Sequence, residues 1–318
     1  MTTRTALVTG ATSGLGLEAA AQLAASGYGR IVITGRTAEK AEAAHRSLVE
    51  RNGDDVFETV LVDVADPESV DAAVEDLLAR GHTFNALVLN AGMAGHSLRR
   101  NANGIEETHA ASLTGHHTIT MALLAAGRLA QDASIAIVGS EAATGHVPAF
   151  GPSDLEDLAD ETGSLESAAE RLLRDGTAGE FKTNEAYSNA KLFVAWWAAA
   201  LARRLPDTMR VNAVSPGSVP DTDFVSKAPW FMRNVMVPVL KAMPKRMGMA
   251  APVDVGARRY LDVLEMTDSN GAFYASPPKK MTGPLHRVDQ PHITDEASQE
   301  AAWSAVTRLT GARLPAAA

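Results

Sequence analysis

Across the first 140 residues, short apolar runs alternate with stretches of helical pattern, and this alternation restricts the fold more than any other feature. "TALVT" (5–9), "RIVIT" (30–34), "FETVLV" (57–62), "NALVLN" (85–90) and "SIAIVGS" (134–140) read as strands. Between them lie helices at about 15–26, 38–51, 66–80 and 104–129, the first closed by Gly27 and Gly29. Apolar strands separated by helices imply parallel βαβ units with both faces of the sheet covered. The rhythm then breaks. Residues 150–185 are acidic and strand-free, with helical pieces such as "LESAAERLLRD". A helix at about 185–204 follows, then strands "MRVNAVS" (209–215) and "NGAFYAS" (270–276). A Pro-rich linker, "SPPKKMTGP", leads to a last helix near 295–310. The expected fold class is α/β, a doubly wound parallel sheet of about seven strands in one domain with insertions. That domain is expected over 1–276, with an insert at about 150–185 and a loop region at about 218–250. Residues 277–318 form an expected C-terminal extension.

Composition removes several function classes. Lys and Arg number 29 against 38 Asp and Glu, a net charge of −9. Such a balance argues against nucleic acid and anionic membrane surfaces. The chain has no cysteine, which excludes disulfides, thiolate metal sites and cysteine nucleophiles. The longest apolar run, "LFVAWWAAAL" (192–201), is too short to span a bilayer. "MTTRTALVTG" runs almost at once into a strand, with no signal-peptide pattern, and no Asn-X-Ser/Thr sequon occurs. The expected location is cytoplasmic, with no transmembrane segment.

The turn after the first strand, "TGATSGLG" (9–16), places Gly10, Gly14 and Gly16 where a helix begins. Glycines let the backbone turn tightly and approach a ligand. The helix N-terminus turns free N–H groups and partial positive charge toward it. In the first βα turn of such a sheet the usual ligand is a dinucleotide pyrophosphate. Much later, "EAYSNAKLF" (185–193) sets Tyr187 and Lys191 four apart, on one face of a helix. Such a pair is either an ordinary surface contact or a proton donor with its tuner. The unperturbed phenol, at about pKa 10, is a poor acid near neutrality, and a nearby cation lowers it.

The spacing Gly-x-x-x-Gly-x-Gly together with Tyr187-x-x-x-Lys191 resembles the short-chain dehydrogenase/reductase family. Asp63-Val64 after strand three, Asn90-Ala91-Gly92 after strand four, Ser140 ending strand five and Pro216-Gly217 after strand six extend the resemblance over nearly the whole chain. "GIEETHAASLTGHH" (104–117), the insert before the tyrosine and "NGAFY" look most like the retinol dehydrogenase and protochlorophyllide reductase branch. The resemblance implies a Rossmann-type fold, a nicotinamide cofactor that supplies hydride and a catalytic Tyr187. Ser140 would orient the carbonyl, and Lys191 would hold the nicotinamide ribose as well as tune the phenol. The cofactor would meet Gly10, Thr12, Ser13, Gly14, Leu15 and Gly16, then Asp63, Val64, Asn90, Ala91 and Gly92, then Pro216, Gly217, Val219 and Thr222. Where the family commonly carries an asparagine that fixes the lysine through water, this chain has Ser112, a shorter group with fewer donors. Light-driven reduction in the related branch involves a cysteine, which this chain lacks.

Other residues leave alternatives open. NAD sites hold the ribose with an acid near the end of strand two, but here that place holds Gly35 and Arg36. A guanidinium suits a 2′-phosphate, so NADP(H) is expected over NAD(H), with Lys40 adding charge. His116 and His117 read as helix-face residues rather than metal ligands, since no third ligand is in view. No metal is expected. Trp196 and Trp197 mark either a homodimer face or core. Five of the 11 methionines fall within 224–249, beside Phe224, Trp230 and Phe231. That segment is either a lid over an apolar substrate or a stretch packed on the domain. The expected function is carbonyl–alcohol interconversion on an apolar small molecule, as in a carbonyl reductase. The alternative is a dinucleotide-binding sensor without chemistry.

Overall fold

The computed structural model describes residues 3–219 and 250–314. Thr222, Phe224, Trp230 and Phe231, and with them the proposed lid, lie outside the described residues.

The five early strands form as β1 (Thr5–Val8), β2 (Arg30–Gly35), β3 (Phe57–Leu61), β4 (Phe84–Leu89) and β5 (Leu129–Val138). Later come β6 (Arg210–Val214), β7 (Phe273–Ala275) and β8 (His286–Arg287). They make one eight-stranded sheet in the order β3-β2-β1-β4-β5-β6-β7-β8. Every pairing is parallel except β7 with β8. This is the Rossmann-like doubly wound sheet, reversing direction between β1 and β4, where such sheets bind ligands at their strand C-termini.

The strands are buried on both faces because alternate residues point opposite ways. Leu7, Val32, Val60, Leu87 and Ile135 face α3 (Pro67–Ala79), α4 (Gly115–Ala125) and α7 (Thr183–Ala202). Ala6, Val8, Ile31, Ile33 and Val88 face α1 (Gly14–Ala25), α2 (Ala38–Asn52) and α8 (Val253–Glu265). The acidic insert folds as α5 (Leu155–Thr162) and α6 (Leu165–Asp175), capped by Asp154 and Ser164 side chains. The last helix, α9 (Glu296–Thr310), packs on α6 and α7.

Three elements depart from the sequence reading. β5 starts at Leu129, before the apolar run, because Phe84 pairs with Leu129 across an irregular register. The expected long helix at 104–129 is a single turn, Glu107–His109, then a π-helical segment, Ala110–Thr114, then α4. β8 was not anticipated: two exposed residues carry no periodicity. Trp196 and Trp197 are core. Both are almost fully buried within one chain, and their indole N–H groups donate to His292 O and His117 Nδ1. They offer no dimer face.

Candidate active site

The C-terminal ends of β1 to β6 bring together residues that stand more than 200 positions apart in sequence. Gly10 takes a left-handed φ of +64°, and a Cβ on Gly16 would come within 2.5 Å of Gly10 O and 2.6 Å of Asn90 Nδ2. No side chain can stand there. Asn90 Nδ2 donates to Thr9 O at 2.9 Å and to Gly10 O at 3.3 Å, which ties the β4 turn to the β1 turn. The Thr9 hydroxyl accepts the Asn90 and Ala91 amides at 2.8 and 3.0 Å. Ser13 starts α1 without capping it through its side chain, and the first turn holds no acid. An anion is welcome at such a helix end.

Among the described residues, the other residues expected to meet a cofactor stand just after β2, β3, β4 and β6. Arg36 follows β2, is exposed, and has no ion-pair or hydrogen-bond partner among the described residues. A Cβ on Gly35 would meet Thr12 Cγ2 at 2.4 Å, so an acidic side chain does not fit there as the loop stands. Asp63 follows β3 and accepts the Ala65 amide at 3.1 Å, with Val64 buried beside it. Pro216-Gly217 follows β6, and Val219 is nearly buried.

Ser140, Tyr187 and Lys191 meet at the same edge. Ser140 opens a short turn, Glu141–Thr144, and hydrogen-bonds the Tyr187 side chain. Phe150 lies edge-on to the Tyr187 ring, centroids 6.1 Å apart. Lys191 is 4% exposed, lies 5.8 Å from the Tyr187 ring centroid, and donates to Val138 O at 2.8 Å. Ser112 sits in the π-helical segment. Its hydroxyl is buried and without a hydrogen-bond partner, and a Cβ on Gly92 would lie 3.5 Å from both Ser112 Oγ and Lys191 Nζ. Both polar groups therefore converge on the Asn90–Gly92 turn. π-Helical insertions recur at functional sites.

The electrostatics differ from the simple picture of a cation tuning a phenol. Burial pushes the Tyr187 phenol up to about 12, aided by the Glu141 carboxylate and opposed by the Ser140 hydrogen bond. Burial pulls the Lys191 ammonium down to about 8 from the ordinary 10.5. That depression is a cost of folding which is full below about pH 8 and fades as pH rises toward 10.5. It amounts to about 3 kcal/mol. Lys191→Met removes this cost but orphans Val138 O, at about 1–3 kcal/mol. The variant is expected to match or exceed wild-type stability near neutrality, with the gap moving in favour of wild type as pH rises. Urea unfolding at neutral and alkaline pH measures it, and clear destabilisation at neutrality would refute the balance.

Three residues here escaped the sequence reading, and a fourth, His116, was read only as a helix-face residue. His116 accepts the Thr9 hydroxyl proton beneath the cradle, with Nε2 and Oγ1 2.9 Å apart. Tyr260 donates to Asn90 Oδ1 at 3.3 Å. Phe150 and Glu141 border Tyr187. Only Glu141, adjacent to Ser140, carried a usable signal. Among the described residues no cluster suits a metal ion, and no helix is long and apolar enough to cross a membrane.

Residues 4–152 match the short chain dehydrogenase family model. That match spans just under half of the chain, which over it is similar to the short-chain dehydrogenase/reductase family. Among curated members, a chloroplastic protochlorophyllide reductase of Chlamydomonas reinhardtii is 26% identical, over 97% of this chain and 78% of its own length. Human retinol dehydrogenase 13 is 24% identical, over 98% of this chain and 86% of its own. Solved structures of the same fold include an uncharacterized protein from Mycobacterium Paratuberculosis (TM-score 0.70, 23% identity, 98% and 95% of the two chains). Another is L-sorbose reductase from Gluconobacter frateurii, complexed with NADPH and L-sorbose (TM-score 0.64, 21% identity, 89% and 98%).

Proposed function

We propose that this protein is an oxidoreductase that uses NADP(H) to interconvert a carbonyl and an alcohol on an apolar small molecule, with Tyr187 as general acid/base. The observation that carries the reading is the Ser140–Tyr187 hydrogen bond at the strand ends, with Lys191 one turn along α7. When bound, the nicotinamide supplies the hydride. The glycine cradle, the uncapped start of α1 and Arg36, which has no partner among the described residues, fit its phosphates. Ser140 orients the substrate oxygen. Tyr187 stays protonated through neutral pH and donates to that oxygen as it gains charge. Lys191 fixes the ribose side of the phenol. Ser112, in place of an asparagine, offers its free hydroxyl toward the lysine. Phe150 lays an apolar ring beside the reacting group, which supports a lipophilic substrate.

NADPH consumption with a panel of lipophilic and small charged carbonyls tests the reading. Turnover of lipophilic members supports it, and tight NADPH binding without turnover of any member would favour the sensor. Arg36→Ala tests the cofactor. A charge-assisted contact is worth about 1.5–3 kcal/mol, so the variant should lose roughly ten- to a hundredfold in NADPH affinity and little in NADH affinity. Equal losses for both would place Arg36 elsewhere.

A further inference from the structure

Directly behind Ser140 lies a buried ion pair that the proposed chemistry does not use. Glu141 and Arg259 are 8% and 5% exposed at their side chains, with Arg259 Nη1 3.6 Å from Glu141 Oε1. They come from different elements: Glu141 follows β5, and Arg259 sits on α8. The carboxylate accepts three hydrogen bonds. Its Oε1 accepts the Ser276 amide at 3.2 Å and the Ser276 hydroxyl at 2.8 Å, and its Oε2 accepts the Ser215 hydroxyl. The Ser215 oxygen in turn accepts the Gly217 amide at 3.2 Å. The guanidinium closes the same ring, donating to Ser215 O at 3.0 Å, Ser276 Oγ at 3.1 Å and Gly283 O at 2.7 Å. Gly217 holds a left-handed φ of +79°, and a Cβ there would come within 3.0 Å of Arg259 Nη1.

Ser215 directly follows β6 and Ser276 directly follows β7, so one carboxylate joins the C-terminal ends of three adjacent strands. Two of those ends carry Ser140 and Pro216-Gly217. A buried ion pair is a poor device for stability alone, because well-packed apolar residues of similar size serve as well or better. What such a pair does well is fix positions, through many directional bonds from one small group.

We propose that Glu141 and Arg259 are positioning residues for the reaction, holding the Ser140 hydroxyl and the Pro216-Gly217 turn in register with each other. The inference rests on the proposed carbonyl chemistry at Ser140 and Tyr187. Their role is geometric: a slip between the two strand ends misplaces the oxygen that Ser140 orients relative to the cofactor face, without loosening the phosphate cradle on β1 and β2.

The test compares Glu141→Leu, Arg259→Met and the double variant in the full chain. Each single variant strands one buried charge and should lose stability. The double variant strands none and should recover most of it. Turnover should not recover with it: in the double variant kcat for carbonyl reduction is expected at least tenfold below wild type. KM for the carbonyl and Kd for NADPH should stay within about threefold of wild type. Amide hydrogen exchange over 215–219 and 272–277 should be at least tenfold faster, a readout independent of activity. Recovery of kcat together with stability, or unchanged exchange at those segments, would make the pair a structural element only and overturn the inference. Failure of the wild-type protein to turn over any carbonyl while binding NADPH would instead overturn the proposed function, and this inference with it.

Discussion

Tyr187→Phe is expected to lower kcat for carbonyl reduction by roughly a hundred- to ten-thousandfold, while NADPH affinity stays within about threefold. The substitution removes one hydroxyl and keeps the ring. The edge-on packing against Phe150 survives, and so do Lys191 and its bond to Val138 O. The proton and the partner of Ser140 are lost. A phenol held near 12 by burial remains protonated across the accessible range, so reduction should show little pH dependence from Tyr187 itself. Alcohol oxidation needs the phenolate, and its rate should climb with pH well past neutrality. Steady-state kinetics in both directions, with NADPH titration of the apo variant, measure all three statements. A phenylalanine variant that kept more than a tenth of wild-type turnover would remove Tyr187 from the chemistry.

Much of the fold was legible because its strands are buried on both faces. A run such as "ALVLN" has nowhere to go except the centre of a parallel sheet, and five such runs in alternation leave little choice of architecture. The Trp pair was legible in principle too. "LFVAWWAAAL" is apolar all round, which marks a helix enclosed by its own chain. It is α9, nearly a hundred residues on, that encloses it.

The site was legible only where chemistry and spacing coincide locally. Gly10 to Gly16 and Tyr187 to Lys191 each lie within one turn or one helix. Glu141, Ser215, Arg259 and Ser276 do not: their partners are 17 to 135 positions apart, and no short pattern encodes the ring they make. Nothing in "AASLT" announces a π-helical turn either, yet that turn sets where Ser112 stands. Local spacing finds groups that act through their own element. Groups that act by joining elements become visible only in the fold.

His116 and His117 are such joining groups, and they predict how the protein fails in acid. Each is fully buried, and burial pulls each imidazole from the ordinary 6.5 down to about 4. The bonding explains why neither can charge in place. His117 accepts the Trp197 indole N–H at Nδ1 and donates from Nε2 to Ala312 O, so a proton on Nδ1 would face another donor. His116 donates from Nδ1 to Ser112 O and accepts the Thr9 hydroxyl at Nε2. That hydroxyl already accepts the Asn90 and Ala91 amides, and the other acceptor for its proton is Val88 O at a long 3.5 Å. With folded values below unfolded ones, the stabilisation is complete above about pH 6.5 and is lost as pH falls toward 4. Each histidine contributes about 3 kcal/mol across that window, against a typical total of about 5–15. Between pH 7 and pH 5 the pair should therefore cost about 4 kcal/mol of unfolding free energy. The Glu18, Glu58 and Glu106 carboxylates, all lowered from 4.5, act below that interval and do not confuse it. His116→Gln keeps an acceptor for Thr9, and His117→Asn keeps one for Trp197, without the titration. The double variant should start somewhat less stable at pH 7 and show most of that acid loss abolished, by urea unfolding at both pH values. NADPH affinity of the wild type should also weaken before global unfolding, because protonation of His116 disrupts the Thr9–Asn90 contacts under the cradle. An acid loss unchanged in the double variant would assign it to other groups.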